Sequence, residues 1–499
     1  MKKSIGNILT TVLAIVFIAL VILHIDINVS HYCAQMDADI ASDTILTQVI
    51  YDNGFRTPDT WVGSTEVCVI SAPNLAAFIY PLVGKNMNLA MGIACSIMML
   101  MLVGVMMLYF KQIGFKWHEI LAGLIVLFSL SDITSENQSM LFLWAAYYAS
   151  HFITLFIVLI FYNKSLERNR VSVLALAITV VLAILNGMQG LHACLYCYFP
   201  VLGIEILRRF YLWIKRAEQD NWMISIWLFA ITAICYVTTE ISSSFGMGAS
   251  RNIRHAPEKF INIVIPDITE VIYFGKMPVV VALVCIIACL GYILFIRNMQ
   301  RSDIGLWAPV VSFGICVVAL TFTTVDSAPR YFITELFIVG IGVALFMRKF
   351  RYDWISIVGV VVFFLGVYAT RYYYDGLVAG DRSNESSEYF VGEWMQENGY
   401  EYGYSTFDFA NFITVDSNNA VKVRAVNSMK ELKGCKWLTD TTWYPPVKSA
   451  EGATVYVASQ NTKSDLEYYI SEYNVNVVHV EDIGSFTVYV FDKDYTVWK

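Results

Sequence analysis

Met36-Asp37-Ala38-Asp39-Ile40-Ala41-Ser42-Asp43 follows closely on the first long apolar run of the chain and places three carboxylates within seven positions. A helix in this stretch puts Asp39 and Asp43, four residues apart, on one face. Asp37 lies at or before the helix start, where a carboxylate accepts hydrogen bonds from free backbone amides. The acids therefore either cap and solvate a helix at the membrane surface or form a catalytic or metal-binding cluster there.

The composition is typical of a membrane protein. Hydrophobic residues make up 57% of the chain, charged residues 15%, and the mean hydropathy is +0.56, whereas soluble domains have roughly 25% charged residues. The region from Tyr373 to the C-terminus carries 19 acidic and 10 basic residues, while the formal net charge of the whole chain is only -7. We therefore predict a transmembrane domain over residues 1–372 and an acidic soluble domain over 373–499. A nucleic-acid-binding function is excluded, because it would need a basic surface.

About eleven apolar segments are long enough to be predicted as membrane helices, although Ile120–Leu130 is short for a full crossing. The first follows Lys2-Lys3 and lacks a cleavage site of small residues, so we interpret it as an uncleaved membrane helix and not a signal peptide. The predicted spans are Ile8–Ile25, Leu89–Phe110, Ile120–Leu130, Leu143–Phe161, Val171–Asn186, Leu191–Leu207, Trp222–Thr239, Met277–Ile296, Gly305–Phe322, Tyr331–Phe346 and Trp354–Tyr368.

Clusters of lysine and arginine occur in alternate loops between these spans, always on the side of the N-terminus. The positive-inside rule makes that side cytoplasmic. The large first loop (residues 28–74), the loop 241–276 and the C-terminal domain are then predicted to face outward from the cytoplasmic membrane.

The C-terminal region predicts a small α/β domain. Its expected elements are a helix over Ser387–Gln396, strands over Val421–Val426 and Thr454–Ala458, a helix over Leu466–Tyr473, and a hairpin of Val477–Val480 with Phe486–Phe491.

Carboxylates at a membrane boundary can deprotonate an acceptor hydroxyl or hold a divalent cation such as Mg²⁺ or Mn²⁺ that screens a phosphate leaving group. Asp39 is our candidate for the catalytic residue, with Asp37 and Asp43 assisting. Asp37 and Asp39 are the candidate metal ligands.

Cations in the outward-facing segments are candidates for binding the phosphate of a lipid-linked substrate, because arginine offers two parallel donors to phosphate oxygens. They are Arg251, Arg254 and His255 in the loop 241–276, followed by Lys259, and Arg330-Tyr331 at the start of a late span. The alternatives are that Arg330 extends toward lipid headgroups and that the loop cations contact anionic lipids.

Four further residues are weaker candidates. Glu66 of the first loop and His151 of an apolar helix are assigned to a substrate pocket, although a core histidine with a hydrogen-bond partner is the simpler interpretation of His151. Cys33 and Cys68 both fall in the first outer loop, where a disulfide is possible.

These features together resemble the GT-C glycosyltransferases, a class that includes protein O-mannosyltransferases and bacterial lipid A aminoarabinose transferases. The resemblance lies in the acids after the first helix, in Asn53-Gly54, Trp61 and Ser64-Thr65-Glu66, in the Arg330-Tyr331 pair, and in the outward-facing C-terminal domain. It implies inverting transfer of a sugar from a polyprenyl-phosphate donor to a glycan, lipid or protein acceptor of the cell envelope, with a first-loop acid as base or metal ligand.

Two other functions remain open at this stage. A transporter or lipid flippase would normally show paired repeats and ionisable residues near the middle of the membrane, whereas the charges here gather in loops. A non-enzymatic scaffold would use the acidic outer domain to bind a partner protein.

Overall fold

The computed structural model describes residues 2–64, 68–131, 139–216, 221–242, 253–272, 277–297, 301–349, 352–445 and 452–498. Glu66 and Arg251, two of the predicted site residues, lie outside this part of the chain.

Helices dominate the described residues. In chain order they are α1 (Lys2–Ser30), α2 (Ala38–Asp52), α3 (Ala72–Ile79), α4 (Met87–Gln112), α5 (Trp117–Ser131), α6 (Ala149–Arg168), α7 (Val173–Gln189), α8 (Phe199–Ile214), α9 (Met223–Ser242), α10 (Ala256–Lys259), α11 (Ile265–Val271), α12 (Pro278–Arg297), α13 (Ala308–Phe322), α14 (Thr334–Lys349), α15 (Tyr352–Tyr373), α16 (Ser387–Glu397), α17 (Phe407–Asp416) and α18 (Lys463–Tyr473).

Each of the eleven predicted spans overlaps a helix, although Leu143–Phe161 begins before α6 and Leu191–Leu207 begins before α8. Within the described ranges, eight helices are long and apolar enough to cross a bilayer. The other three predicted spans correspond to α5, α7 and α8, which have 15 to 17 residues. The prediction of an α-helical multi-pass membrane protein is therefore confirmed, with eight clear spans and three shorter helices in place of eleven uniform ones.

Contacts between Cα atoms divide the chain into two compact units. The first consists of Met1–His24 and Ser96–Tyr373, and the second of Ile25–Cys95 and Tyr374–Lys499. The second unit thus combines the first outer loop with the C-terminal domain.

Glycine contacts allow close helix packing in the first unit. A Cβ atom on Gly123 of α5 would lie 2.8 Å from the carbonyl oxygen of Gly340 in α14, and one on Gly291 of α12 would lie 2.0 Å from that of Gly342. Because lipid provides no hydrophobic driving force between helices, such close backbone contact is a principal source of packing energy in a membrane. Helix α14 is therefore held tightly by neighbours on two sides.

The second unit contains a five-stranded sheet in the order β3-β2-β5-β7-β6. Its strands are β2 (Tyr402–Thr406), β3 (Lys422–Val426), β5 (Thr454–Ser459), β6 (Val477–Ile483) and β7 (Phe486–Phe491), and two short strands, β1 (Trp61–Val62) and β4 (Thr439–Asp440), pair with each other. The β2–α17–β3 segment is a parallel unit with a helical crossover, while β7 pairs antiparallel with β5 and β6. The predicted C-terminal α/β domain is confirmed, and β2, β4 and α17 are additions to it.

Side chains of alternating direction give this sheet two apolar faces. One face packs with α16 and α17 through residues such as Val391, Ile413 and Val488. The other face packs with α18 through Leu466 and Phe491.

Candidate functional site

The acidic stretch forms the start of α2, as its sequence predicts. Asp37 is the N-cap, and its Oδ1 accepts a 2.8 Å hydrogen bond from the backbone N–H of Ile40. This contact satisfies one of the amides that a helix start leaves free. Asp37 therefore performs the capping role that was one of the two interpretations of the stretch.

Asp39 and Asp43 differ in exposure although they are four residues apart. Asp39 lies exposed in the first turn of α2, whereas only 7% of Asp43 is exposed. Asp43 is close enough to Tyr32, Cys68 and Cys95 to act electrostatically on all three. Of the two acids, Asp39 is thus the one that a solvent-borne substrate can reach.

Helix α2 is anchored on the C-terminal domain within the second unit. The Ser42 hydroxyl accepts a 2.7 Å hydrogen bond from the Asn411 amide of α17 and donates one of 2.6 Å to the carbonyl of Ala38. The adjoining strand β1 pairs antiparallel with β4, with Trp61 opposite Asp440. The acidic turn therefore rests on a scaffold assembled from both ends of the chain.

A second group of titratable side chains lies where the first loop leaves α1. Nδ1 of His31 is 2.7 Å from Oδ2 of Asp381. Burial tends to raise the pKa of Asp381, but the Ser383 amide and His31 lower it more, so the net shift is downward. For Asp416 burial prevails and raises the pKa to about 6, although hydrogen bonding from the Cys33 thiol opposes the rise.

Cys33 and Cys68 are both free thiols, so the disulfide considered for the first loop does not form. Burial raises the pKa of each thiol, and carboxylates nearby add to the effect: Asp416 for Cys33 and Asp43 for Cys68. Both cysteines therefore stay protonated and act as packed, weakly polar groups.

The predicted phosphate-binding cations belong to the first unit and are not equivalent. Arg254 and His255 are exposed just before α10, and Nδ1 of His255 is 3.7 Å from Glu258. Arg330 lies in a short 3₁₀ turn, Pro329–Phe332, with its guanidinium carbon 5.5 Å from the centroid of the Tyr331 ring. Nζ of Lys259 donates to the carbonyls of Thr323 and Val325, in the segment just before that turn.

His151 lies close to Tyr331 in an aromatic cluster of the first unit. The rings of His151 and His192 are 6.2 Å apart, and His192 stacks on Tyr331 at 5.7 Å and on Tyr196 at 5.9 Å. The structure thus brings His151, Tyr331 and Arg330 into one neighbourhood. Sequence reasoning missed His192 and Tyr196, and the available signal was the position of His192 two residues after Gly190, the glycine that ends α7.

His151 is only 1% exposed, and the Asn186 side chain is its hydrogen-bonding neighbour, although neither ring nitrogen has a partner in ideal geometry among the described residues. The Asn186 amide itself donates to the Thr154 hydroxyl at 3.1 Å. The interpretation of His151 as a core histidine therefore stands beside its assignment to a substrate pocket.

Two solved structures of ArnT from Cupriavidus metallidurans are similar to this chain over almost its whole length. The apo structure gives a TM-score of 0.56 at 11% sequence identity and covers 96% of this chain and 97% of that chain. The structure bound to undecaprenyl phosphate gives a TM-score of 0.55 at 12% identity with the same coverage. No family model and no curated protein matches the sequence.

The chain has a GT-C fold. The resemblance inferred from the sequence is thereby confirmed at the level of fold, including the multi-pass helical domain and the small C-terminal sheet domain. The three acids of the stretch 36–43 differ in their surroundings: Asp37 caps α2, Asp39 is exposed, and Asp43 is buried.

A metal site made by protein ligands alone does not fit the described part of the chain. No group of three His, Cys, Asp or Glu side chains in that part lies close enough together to hold an ion. A cation at Asp37 and Asp39 would need water and substrate phosphate as its remaining ligands, which is how Mg²⁺ is commonly bound.

Proposed function

We propose that this protein transfers a sugar from a polyprenyl-phosphate-linked donor to an acceptor on the outer face of the cytoplasmic membrane. The observation that carries the proposal is the fold shared with ArnT over 96% of the chain, including a structure of ArnT bound to undecaprenyl phosphate. We do not favour the transporter or flippase alternative, because the solved structures that share the fold are those of ArnT.

Asp39 is proposed as the general base. Its exposure in the first turn of α2 leaves its carboxylate accessible to an acceptor hydroxyl. In the reaction the acceptor oxygen attacks the anomeric carbon, the bond from that carbon to the donor phosphate oxygen breaks, and Asp39 takes the hydroxyl proton. The polyprenyl phosphate leaves as an anion, and the single displacement inverts the anomeric configuration.

Arg330, Arg254 and Arg251 are proposed to bind the donor phosphate, with His255 and Tyr331 beside them. Arg330 is the best supported of these cations, because Lys259 holds the segment before its turn and Tyr331 packs against its guanidinium group. Glu66 and His151 are proposed to line the sugar pocket. A charge-assisted bond from arginine to the leaving phosphate would stabilise negative charge as it develops.

A divalent cation remains a proposal. With Asp37 and Asp39 as its only protein ligands, it would be weakly held and would bind together with the donor phosphate. We therefore expect chelation by EDTA to reduce transfer if the cation takes part, and added Mg²⁺ or Mn²⁺ to restore it.

The proposed orientation puts the N-terminus in the cytoplasm and the C-terminal domain outside, as the loop charges predict. Labelling of single cysteines with a membrane-impermeant maleimide in intact cells would test it. Reaction at a cysteine introduced at exposed Ser471, with no reaction at one introduced at Lys111, supports the orientation, and the reverse pattern contradicts it.

The catalytic assignment can be tested in proteoliposomes with undecaprenyl-phosphate sugars and an envelope fraction as acceptor, by measuring release of undecaprenyl phosphate. We expect Asp39→Asn to lower turnover by about 10²–10⁴-fold, the usual contribution of a general base. Asp39→Glu should retain part of the activity. Asp59→Asn changes another exposed acid of the same loop and should have no effect.

Full turnover by Asp39→Asn would overturn the role of Asp39, and absence of transfer with every donor would overturn the proposed function itself.

For the donor site, Arg330→Met should weaken donor-lipid binding, whereas Arg371→Met, at an exposed arginine in the last turn of α15, should not. Equal effects of the two substitutions would indicate a general loss of positive charge and would argue against the role of Arg330.

A further inference from the structure

A cavity of about 180 Å³ lies within the second unit, between α2 and the edge of the sheet. Helix α2 contributes Gln48 and Asp52 to its wall, β2 contributes Tyr402, and β3 contributes Lys422 and Arg424, while Trp443 closes one side. The cavity is smaller than the roughly 300–1,000 Å³ of sites for drug-sized ligands. It suits one small polar unit, about the size of a single sugar.

Strand pairing explains why the two cations lie together. Lys422 is opposite Tyr402 in the parallel β2–β3 ladder, and Arg424 is opposite Tyr404. Residues two apart in a strand point to the same face, so Lys422 and Arg424 present their side chains on one side of the edge strand. Helix α2 covers that side, and the cations line a cavity instead of a solvated surface.

Arg424 is the unusual residue in this cavity. It is only 8% exposed, and its guanidinium carbon is 3.8 Å from the centroid of the Trp443 ring. Its Nη1 is buried and has no hydrogen-bond partner among the described residues. The nearby acid Asp440 acts on Arg424 electrostatically, while its Oδ1 accepts from the N–H and the hydroxyl of Thr442.

The other two buried arginines of the described residues show what Arg424 lacks, which is a carboxylate within ion-pair distance. Arg208 and Arg209 are buried to a similar degree, and both bind the carboxylate of Glu205, at 2.7 and 2.8 Å. Burying a charge costs free energy unless the charge is paired. Desolvation accordingly lowers the pKa of Arg424 to about 10, which still leaves the guanidinium charged at neutral pH.

The mouth of the cavity is polar and mixed in charge. Lys422 forms an ion pair with Glu401 and lies 5.0 Å from the centroid of the Tyr402 ring, while Asp52 stands on the α2 side. Arg424 is therefore the cation of the cavity that has no ion pair among the described residues. A ligand that fits has an anionic group at one end and a hydroxylated body that amides and aromatic rings can contact.

We propose that this cavity binds the oxyanion of an acidic sugar, a carboxylate or a phosphate, on the guanidinium group of Arg424. Arginine is suited to this task because its planar fork donates two parallel hydrogen bonds to either group. That the bound sugar is part of the acceptor rests on the proposed transferase function, whereas binding itself does not.

The test uses the full-length protein in nanodiscs of zwitterionic lipid and measures binding by calorimetry. The probes are glucuronate, glucose 6-phosphate, glucose and inorganic phosphate. We expect the wild-type protein to bind at least one acidic sugar more tightly than both glucose and inorganic phosphate. The preferred probe identifies the oxyanion as carboxylate or phosphate.

Arg424→Met should weaken binding of that acidic sugar about tenfold or more, because a charged hydrogen bond is lost. Arg424→Lys should fall between, since it keeps the charge but loses the fork. Lys436→Met is the matched control: it removes a cation that lies over another ring of the same domain, 5.8 Å from the centroid of Trp498, and should leave binding unchanged.

Thermal unfolding separates a binding role from a structural one. Arg424→Met removes a buried charge that has no ion pair among the described residues and keeps an apolar chain against Trp443, so the melting temperature should stay the same or rise. A lower melting temperature with unchanged binding would overturn the proposal, as would equal binding of glucose and the acidic sugars, or inorganic phosphate binding as tightly as the sugars.

The results that would contradict the proposed function differ from those that would contradict the cavity assignment. If the wild-type protein binds acidic sugar through Arg424 but transfers no sugar, the cavity assignment stands and the transferase does not. If transfer and binding are both unchanged in Arg424→Met, the transferase stands and the cavity assignment is wrong.

Discussion

The side-chain amide of Asn411 donates a 2.7 Å hydrogen bond to the hydroxyl of Ser42, a residue 369 positions earlier in the chain. Both side chains are almost completely buried. Ser42 lies between Asp39 and Asp43 on α2, and Asn411 lies in the middle of α17. The C-terminal domain thus directly supports the acidic turn that carries the proposed base.

This pair predicts a non-additive effect on stability. Ser42→Ala leaves the buried Asn411 amide without its acceptor, which costs about 1–3 kcal/mol. The double substitution Ser42→Ala with Asn411→Leu removes both polar groups and should recover most of that loss. Amide hydrogen exchange over residues 38–52 measures it, with exposed Ser471→Ala as the control. If the stability losses of Ser42→Ala and Asn411→Leu simply add in the double variant, the two side chains are not directly hydrogen-bonded.

Asp37 offers a prediction that separates capping from chemistry. Asparagine caps a helix as well as aspartate does, whereas alanine loses about 1 kcal/mol. We therefore expect Asp37→Asn to retain exchange protection of α2 and Asp37→Ala to lose it. Sugar transfer by Asp37→Asn then decides the chemical role: loss of transfer with protection intact assigns Asp37 to the cation site, and full transfer leaves Asp37 with the capping role alone.

The fold could be predicted because the membrane imposes it. Long apolar runs have few alternatives to a spanning helix, and every predicted span overlaps a helix in the structure. The strand β2 was missed because Tyr402-Gly-Tyr-Ser-Thr406 has no hydrophobic alternation. The helix α17 was missed because it follows β2 directly, with no glycine or proline to mark where the strand ends and the helix begins. Their burial comes from neighbouring strands and helices, not from a local pattern.

The cavity beneath α2 could not be predicted for a related reason. Lys422-Val-Arg424-Ala-Val426 is the pattern of a half-buried strand whose polar face meets water. That face is covered by a helix from the first loop, more than 350 positions away, and no local pattern encodes such a pairing. For the same reason Asp39 and Asp43 were grouped by spacing alone, although the structure exposes one and buries the other.

Asp416 predicts an unusual dependence of stability on pH. Its pKa is raised to about 6 in the folded protein by burial, whereas an unfolded aspartate has a pKa near ~3.9. Between these values the folded state binds more protons than the unfolded state, so this residue makes stability fall as pH rises from about 4 to 6. Below about pH 4 Asp416 is protonated and its burial does not lower stability. Above about pH 6 it is charged, and the full cost of burying that charge lowers the free energy of unfolding.

We therefore expect Asp416→Asn to raise the melting temperature at pH 7 and to remove this part of the pH dependence, measured by thermal unfolding between pH 4 and 8. Asp408→Asn, in the first turn of the same helix, serves as the control. A lower melting temperature at pH 7 in Asp416→Asn would show that the carboxylate is stabilising in its charged form, against this prediction.

Glu205 is the centre of the most densely paired ionic group in the described part of the first unit. Its carboxylate accepts hydrogen bonds from Arg208 at 2.7 Å, Arg209 at 2.8 Å, Ser225 at 2.6 Å and Tyr162 at 2.7 Å. Only 1% of Glu205 is exposed, and both arginines are buried. Removing the acid would take away the carboxylate to which both buried guanidinium groups donate.

Glu205→Gln should therefore destabilise the protein by about 3–5 kcal/mol, the usual effect of removing one partner from a buried ion pair. Glu167→Gln, at an exposed acid of α6, should change stability by less than about 0.5 kcal/mol. Chemical denaturation in detergent micelles, followed by tryptophan fluorescence, compares the two. The larger loss of stability in Glu205→Gln is expected only if nothing replaces the carboxylate as partner of the two arginines. Equal stability of both variants would therefore mean that water or lipid headgroups bind the arginines as well as the carboxylate does.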